Sequence, residues 1–230
     1  MRLDLLAALN TERAARRAAA VVTELAGGNQ RLVRESELEK DPLAADLRAQ
    51  LRNGKSGVIK QGGAQFFVEV HMPPPRIVIT GAVHVSQALA PMAKLLGYDV
   101  TIVDPRTAFA TPGRFPDVPL LAEWPDTALP KVGLDNWTAF VALTHDPKID
   151  EPALEAALKS QCFYVGALGS KKTHARRVES LKKRGMSERM LARIHAPIGL
   201  SIGAASPSEI ALAILAEITM RLRRGPEARP

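Results

Sequence analysis

A buried strand that runs into a glycine turn and then a helix constrains this chain more than any other feature. Residues 76–89 read RIVITGAVHVSQAL, in which β-branched residues precede Gly81 and a helical pattern follows it. Farther along, strand-like apolar runs alternate with helix-like stretches. This alternation is typical of a parallel sheet with helices on both faces. The sequence therefore predicts an α/β fold with a doubly wound parallel sheet.

Three consecutive prolines, at positions 73–75, mark the predicted boundary between two domains. Proline lacks an amide proton and holds the chain extended, which suits a linker. We therefore predict a small N-terminal α+β unit over residues 1–75 and an α/β domain over residues 76–230. In the first unit the pattern predicts an opening helix, strands over 18–25 and 30–34, a helix with Asp41 as its N-cap that ends before Gly54, and a hairpin over 57–60 and 65–70.

The second unit is predicted to alternate strands with helices to its end. The pattern predicts strands over 77–80, 99–104, 118–121, 139–144 and 162–165, and helices over 85–96, 150–159, 171–183, 187–193 and 207–223. The last helix opens with a capping box in which Ser206 and Glu209 satisfy backbone amides reciprocally. It is apolar on most of its faces, so we expect it to be buried and shared with a second protomer in a homo-oligomer such as a dimer.

The charge balance and the composition narrow the class of partner. Thirty-one lysines and arginines against 24 acidic residues give a formal net charge of +7, which favours an anionic partner. Aromatic residues make up only 4% of the chain, so we expect no nucleic acid partner. No apolar run reaches the roughly 18 residues that span a bilayer, and we expect no membrane segment. The single cysteine, Cys162, precludes an intramolecular disulfide; we expect it to be inert core in a cytoplasmic protein.

The turn after the first strand of the second unit resembles a damaged dinucleotide fingerprint. Such a fingerprint needs a glycine two positions after Gly81, so that the backbone can approach a pyrophosphate closely, and Val83 stands there instead. Asp104 ends the next strand, where a carboxylate can accept hydrogen bonds from a ribose or another diol. The alternative is that Asp104 merely begins the turn at Pro105.

Two further clusters follow predicted strands. In Thr144-His-Asp-Pro-Lys-Ile-Asp150, His145 and Asp146 are candidates for ligand contact or proton transfer, and Asp150 is a plausible N-cap; the spacing matches no specific metal site, so we predict none. In the second cluster, two glycines precede a helix start where unpaired amides attract an anion. This phosphate candidate comprises Gly166, Gly169, Ser170 and Lys171. Its alternative is ordinary helix capping.

Seven ordered motifs between residues 76 and 224 resemble the signatures of the XdhC/CoxI family of xanthine dehydrogenase accessory proteins. The motifs are Gly81-Ala-Val-His-Val, Val103-Asp-Pro-Arg106, Arg114-Phe-Pro116, Leu143-Thr-His-Asp146, Tyr164-Val-Gly-Ala-Leu-Gly-Ser170, Pro197-Ile-Gly-Leu200 and Ser206-Pro-Ser-Glu-Ile-Ala211. The resemblance implies a Rossmann-like C-terminal domain. It also implies a protein that binds molybdenum cofactor, a molybdopterin, protects it during sulfuration and delivers it to a molybdenum hydroxylase of the xanthine dehydrogenase or CO dehydrogenase type.

The resemblance has two departures. The family usually has glycine where this chain has Val83, and residues 1–75 lack the Gly-Ser-Ser-Pro-Arg stretch and the later cysteine motif of the family's fuller N-terminal domain. The chain therefore resembles a compact form of the family. By resemblance, its partners are the apoenzyme of a molybdenum hydroxylase and a cysteine desulfurase.

The sequence leaves more than one function open. The first hypothesis is a non-catalytic carrier, or chaperone, of molybdenum cofactor. The alternative is an NAD(P)-dependent oxidoreductase that uses the Gly81 turn and Asp104, with His145 as acid or base; Val83 disfavours it. A third is a degenerate domain that serves only protein interaction. The residues predicted to bind the cofactor are Gly81, His84, Asp104, Arg106, His145, Gly166, Gly169, Ser170 and Lys171.

Overall fold

The structure, a computed structural model, describes residues 2–225. The chain divides into two compact units, Met1–Pro73 and Pro74–Pro230, and each unit contains its own sheet. Among the described residues, no helix is long and apolar enough to cross a membrane.

The first unit is built on an antiparallel sheet. Its elements are α1 (Leu3–Ala14), β1 (Ala19–Glu24), β2 (Gln30–Arg34), a 3-10 helix (Glu35–Lys40), α2 (Ala44–Asn53), β3 (Gly57–Gln61) and β4 (Ala64–His71). The strands lie in the order β2-β1-β4-β3, and Leu9 of α1 packs against Ala19 and Val21 of β1. The predicted strands are confirmed. The predicted N-cap is wrong, because the carboxylate of Asp41 accepts hydrogen bonds from the Leu43 amide and an arginine, and α2 begins later.

The second unit alternates strands and helices as predicted. Its elements are β5 (Arg76–Thr80), α3 (His84–Leu95), β6 (Asp99–Val103), β7 (Leu120–Leu121), α4 (Pro125–Val132), β8 (Thr138–Ala142), α5 (Pro147–Lys159), β9 (Tyr164–Ala167), α6 (Lys171–Lys183), α7 (Glu188–Leu191), β10 (Ile194–His195) and α8 (Pro207–Arg224). The six strands are parallel and lie in the order β10-β9-β8-β5-β6-β7. This is the doubly wound parallel sheet that the sequence predicts.

Alternate residues of the central strands build a separate core on each face of the sheet. Ile77 and Ile79 of β5 pack with α3 and α8, whereas Val78 of β5 and Phe140 of β8 pack with α4, α5, α6 and α7. Because successive side chains of a strand point to opposite faces, a nearly continuous apolar run such as Ile77-Val-Ile79 indicates a sheet covered on both sides. α8 buries one side only, since Leu212 on its other side is 54% exposed.

Three local predictions for the second unit need correction. Asp146, not Asp150, caps α5: its side chain accepts a hydrogen bond from the Lys148 amide, and the helix begins at Pro147. The strand predicted over 162–165 lies two residues later. Two elements, α4 and β10, were not predicted. The two prolines of α4 make its sequence look like a turn, and β10 has only two residues, too few for a periodic signal. The predicted capping box at the start of α8 is confirmed, with reciprocal hydrogen bonds between Ser206 and Glu209.

Candidate functional site at the carboxyl edge of the parallel sheet

The second unit has a topological switch point at β5, whose neighbours are β6 on one side and β8 on the other. The helix that follows β5, α3, packs on one face of the sheet, and the helix that follows β8, α5, packs on the opposite face. Ligands of open parallel sheets bind in the crevice beyond the strand ends at such a point. The candidate site is therefore the carboxyl edge, defined here as residues 81–86, 104–106, 143–150 and 168–177.

The backbone amides of the turn after β5 are already hydrogen-bonded within the protein. The Ala82 amide donates to Oδ2 of Asp104 at 2.7 Å, and the Val83 amide donates to Oγ of Ser86 at 2.8 Å. The side chain of Val83 is half-buried and packs against the core. A pyrophosphate needs free amides at this turn. Both the valine and the hydrogen bonds therefore oppose dinucleotide binding there.

The carboxylate of Asp104 is fully buried and saturated with donors. It accepts hydrogen bonds from the amides of Ala82 and Arg106 and from the Arg106 guanidinium, whose Nη2 lies 2.7 Å from Oδ2. Burial by itself raises the pKa of Asp104, but these hydrogen bonds outweigh burial, and the net pKa is lowered. A ribose could reach this carboxylate only by displacing Arg106. In the structure, Asp104 instead fixes the turn after β5 to the end of β6.

The loop that follows Asp104 is clamped over the same turn by Arg114. Nη1 of Arg114 donates to the carbonyl oxygens of Ala82 and Phe109, and Nη2 donates to Oε1 of Gln87. The guanidinium of Arg106 lies 4.7 Å from the centroid of the Phe109 ring, and that of Arg114 lies 5.9 Å from it. The loop held by Arg114 therefore obstructs the space that a dinucleotide would occupy at this turn, in addition to the obstruction by Val83.

The segment after β8 is organised around the buried carboxylate of Asp150. This carboxylate accepts hydrogen bonds from Oγ1 of Thr144 at 2.7 Å and from the amides of Thr144 and His145. His145 is held at a φ of 62°, in the left-handed region, and is exposed. Gly81 packs closely here, since a Cβ at that position would lie 3.1 Å from the Thr144 nitrogen. No group of three or more metal-ligating side chains occurs within residues 2–225.

The start of α6 is capped by Ser170. Its Oγ accepts a hydrogen bond from the Thr173 amide at 3.2 Å, so the hydroxyl predicted to bind phosphate is engaged in the cap. Lys171 is exposed. Gly169 has a φ of 133°, and a Cβ there would lie 3.1 Å from the Thr173 side chain. Ordinary capping, the alternative interpretation of this motif, is therefore part of what the residues do.

A cavity of about 330 Å³ lies between the first turns of α5 and α6. Its lining includes His145, Glu151, Thr173, Arg176 and Arg177. Arg177 is only 6% exposed; its Nη2 donates to the Leu168 carbonyl at 2.9 Å, and its buried Nη1 has no hydrogen-bond partner. Neither arginine is among the residues predicted from the sequence, because a run of basic residues looks like a solvated helix face. For Arg177 the signal lay in its position seven residues, about two helical turns, after Ser170, which puts it on the same side of α6 as the N-cap.

A second buried polar cluster was also missed. The carboxylate of Glu217 in α8 accepts a hydrogen bond from the Tyr164 hydroxyl at 2.6 Å and lies 2.7 Å from Nδ1 of His195. Burial raises the pKa of Tyr164 well above its ordinary value. Gly166, a predicted ligand contact, lies within β9, where a Cβ would be 2.5 Å from the Ile198 side chain. Packing therefore explains this glycine without a ligand.

Three of the residues predicted to bind the cofactor, Gly81, Asp104 and Arg106, lie together at the ends of β5 and β6. Hydrogen bonds to Asp104 raise the pKa of Arg106, as do the charges of Asp146 and Asp150, which places the turns after β6 and β8 within electrostatic reach of each other. The exposed members of the predicted set are His84, His145, Ser170 and Lys171.

The parallel sheet and its carboxyl edge define a Rossmann-type α/β protein. At the turn where a dinucleotide would bind, the amides of Ala82 and Val83 are already hydrogen-bonded within the protein. The family model described as the XdhC Rossmann domain matches residues 77–218. The chain belongs to this family.

Curated relatives and a solved structure share parts of the chain. The chain is 34% identical over 169 residues to an Escherichia coli K12 protein named Uncharacterized protein YqeB, and 34% identical over 146 residues to Molybdenum cofactor insertion chaperone PaoD of the same strain. It is 30% identical over 159 residues to a Bacillus subtilis strain 168 protein named as a probable xanthine dehydrogenase subunit. These matches cover 73%, 64% and 69% of this chain but only 31%, 40% and 46% of the relatives.

A crystal structure of a Bacillus halodurans protein titled a xanthine dehydrogenase has a similar fold. Its TM-score is 0.68 at 21% identity, and the match covers 98% of this chain and 66% of that one. At this identity, the likeness supports the fold alone.

Proposed function

We propose that this protein is a non-catalytic carrier that binds molybdenum cofactor and assists its insertion into a xanthine dehydrogenase-type molybdenum hydroxylase. The observation that carries the proposal is the 34% identity to the E. coli chaperone PaoD over 64% of this chain. The Bacillus subtilis relative, whose name refers to xanthine dehydrogenase, supports the same class of client enzyme.

The chemistry of the carboxyl edge suits such a cargo. Molybdenum cofactor is a pterin that bears a phosphate and often a nucleotide, so it presents anionic and hydrogen-bond-accepting groups. The edge offers an unpaired buried guanidinium nitrogen at Arg177, the exposed side chain of Lys171 at the start of α6 and the exposed side chain of Arg176 in the second turn of that helix. The exposed rings of His84 and His145 are the further side chains that we propose for cargo contact. Asp104 and Arg106 position the edge, and we assign them no direct contact.

The finer expectations from the sequence remain part of the proposal. We propose that the carrier protects the cofactor during sulfuration, with a cysteine desulfurase as the sulfur donor, that CO dehydrogenase-type hydroxylases are further clients, and that it works in the cytoplasm as a homo-oligomer. An NAD(P)-dependent oxidoreductase is less well supported, because the turn amides, Asp104 and the loop held by Arg114 are committed to contacts within the protein.

Two measurements test the carrier proposal. The protein is purified from a host that synthesises molybdenum cofactor, and the bound pterin is released by acid oxidation and quantified by fluorescence. The loaded protein is then mixed with a purified apo-hydroxylase. We expect about one pterin per protein chain and recovery of hydroxylase activity after mixing. We expect no NAD(P)H turnover by the carrier alone. Absence of pterin from folded protein, or steady NAD(P)H oxidation that tracks with it, would contradict the proposal.

A further inference from the structure

We propose that the cavity between the first turns of α5 and α6 is a phosphate-binding site, with the guanidinium groups of Arg177 and Arg176 as its donors. Only the identification of the phosphate as that of the carried cofactor rests on the proposed function. The site differs from the Ser170 hydroxyl that the sequence suggests, since that hydroxyl caps α6.

Arg177 supplies the strongest reason to expect an acceptor in this cavity. Its side chain lines the cavity and is only 6% exposed, yet Nη1 has no hydrogen-bond partner. Asp150 forms an ion pair with Arg177, but the distance of 4.0 Å between Nη2 and Oδ2 is too long for a hydrogen bond. A buried charged donor without an acceptor is costly, so an anion that enters the cavity beside the Arg177 guanidinium would be stabilised.

The carboxylates that border the cavity are already engaged. The oxygens of Asp150 accept hydrogen bonds from Oγ1 of Thr144 and from the amides of Thr144 and His145. Oε2 of Glu151 accepts a hydrogen bond from Oγ of Ser180 at 2.7 Å. Their negative charge is therefore balanced in part by donors other than the two arginines. Nη1 of Arg177 and the side chain of Arg176 are therefore left without an acceptor among the described residues.

The surroundings of the cavity favour an oxyanion over a neutral acceptor. Two helices of 13 residues each, α5 and α6, begin at its wall, and helix N-termini carry partial positive charge. Arg176 is exposed at the rim, and its side chain has no hydrogen bond or ion pair with any residue in the described range 2–225. One guanidinium is thus held rigidly in the wall while the second is free to close over the ligand. Paired guanidiniums match the several oxygens of a phosphate.

Calorimetric titration of the purified full chain with inorganic phosphate at low ionic strength tests the site without any cofactor. Arg176→Gln removes the rim donor, and Lys183→Gln is the matched control, since it removes one positive charge from an exposed position near the other end of the same helix. Lys171→Gln tests the competing location at the helix start. Arg177→Lys keeps the wall charge but loses the planar fork.

We expect Arg176→Gln and Arg177→Lys each to weaken phosphate binding about tenfold, the effect of one charge-assisted contact. Lys183→Gln should change it less than about twofold. Loss of affinity in Lys171→Gln with none in Arg176→Gln overturns the assignment, as does the absence of phosphate binding by folded wild type. Phosphate binding with this mutational pattern supports the site even if no pterin co-purifies, an outcome that would refute only the carrier function.

Discussion

Replacing Asp104 by asparagine should destabilise the second unit, because this carboxylate joins the turn after β5 to the end of β6. Asparagine keeps one acceptor oxygen but turns an NH₂ group toward donors, so the Ala82 amide or the Arg106 guanidinium loses its partner. Breaking a buried ion pair typically costs about 3–5 kcal/mol. The side chain of Arg106 is 32% exposed and can turn to water, which reduces the cost. We therefore expect a loss of about 2–4 kcal/mol in the free energy of unfolding.

Urea unfolding followed by tryptophan fluorescence measures the free energy of unfolding of the second unit of the chain. Both tryptophans, Trp124 and Trp137, lie in the second unit, so the signal reports its unfolding alone. Asp99→Asn is the matched control, since Asp99 is exposed at the first position of β6, the strand that Asp104 directly follows. We expect the control to stay within about 0.5 kcal/mol of wild type. Equal unfolding midpoints for Asp104→Asn and Asp99→Asn, with equal slopes, would refute the role assigned to Asp104.

The same carboxylate makes a signed prediction for pH. Although burial raises the pKa of Asp104, hydrogen bonds from Arg106 and Ala82 lower the net value in the folded protein. Its contribution is therefore complete above the pKa of an unfolded aspartate, about 3.9, and is lost as the pH falls through the lower folded value. The stability difference between wild type and Asp104→Asn should be constant from about pH 6 to 8 and shrink toward acid pH. A difference that grows on acidification contradicts this.

Three further predictions concern other parts of the second unit. Burial raises the pKa of the Cys162 thiol to about 11, so an aromatic disulfide reagent at neutral pH should modify unfolded protein far faster than folded protein; equal rates would show an exposed thiol. Glu217→Gln should lower the free energy of unfolding by about 2–4 kcal/mol, since the Tyr164 hydroxyl and His195 lose a charged acceptor; an unchanged urea midpoint would contradict this. Val83→Gly should gain no calorimetrically detectable NAD affinity, because the Ala82 amide remains bound to Asp104; calorimetric NAD binding by this variant would show that the turn can open.

At the turn after β5, the effect expected of Val83→Gly from the sequence differs from the effect expected from the structure. From the sequence alone, Val83 is the obstruction, and its removal should open a nucleotide site. The structure adds two constraints that come from distant segments: the Asp104 carboxylate, 22 residues along the chain from the Ala82 amide, and the Arg114 side chain, 32 residues from the Ala82 carbonyl. Neither pairing has a periodic signal, so no sequence pattern could have placed it.

Features that depend on neighbours along the chain can be predicted from the amino-acid sequence of this protein. The alternation of apolar strands and helices predicts the parallel sheet, and the Ser206–Glu209 capping box predicts the start of α8, because both arise from local periodicity or a short hydrogen-bond pattern. The hydrogen-bond partners of the buried polar groups, by contrast, become apparent only in the folded protein. The carboxylate of Asp104 is fully hydrogen-bonded there, whereas Nη1 of Arg177 has no acceptor. The satisfaction of a buried charge depends on chain segments that folding brings together, and no local pattern records them.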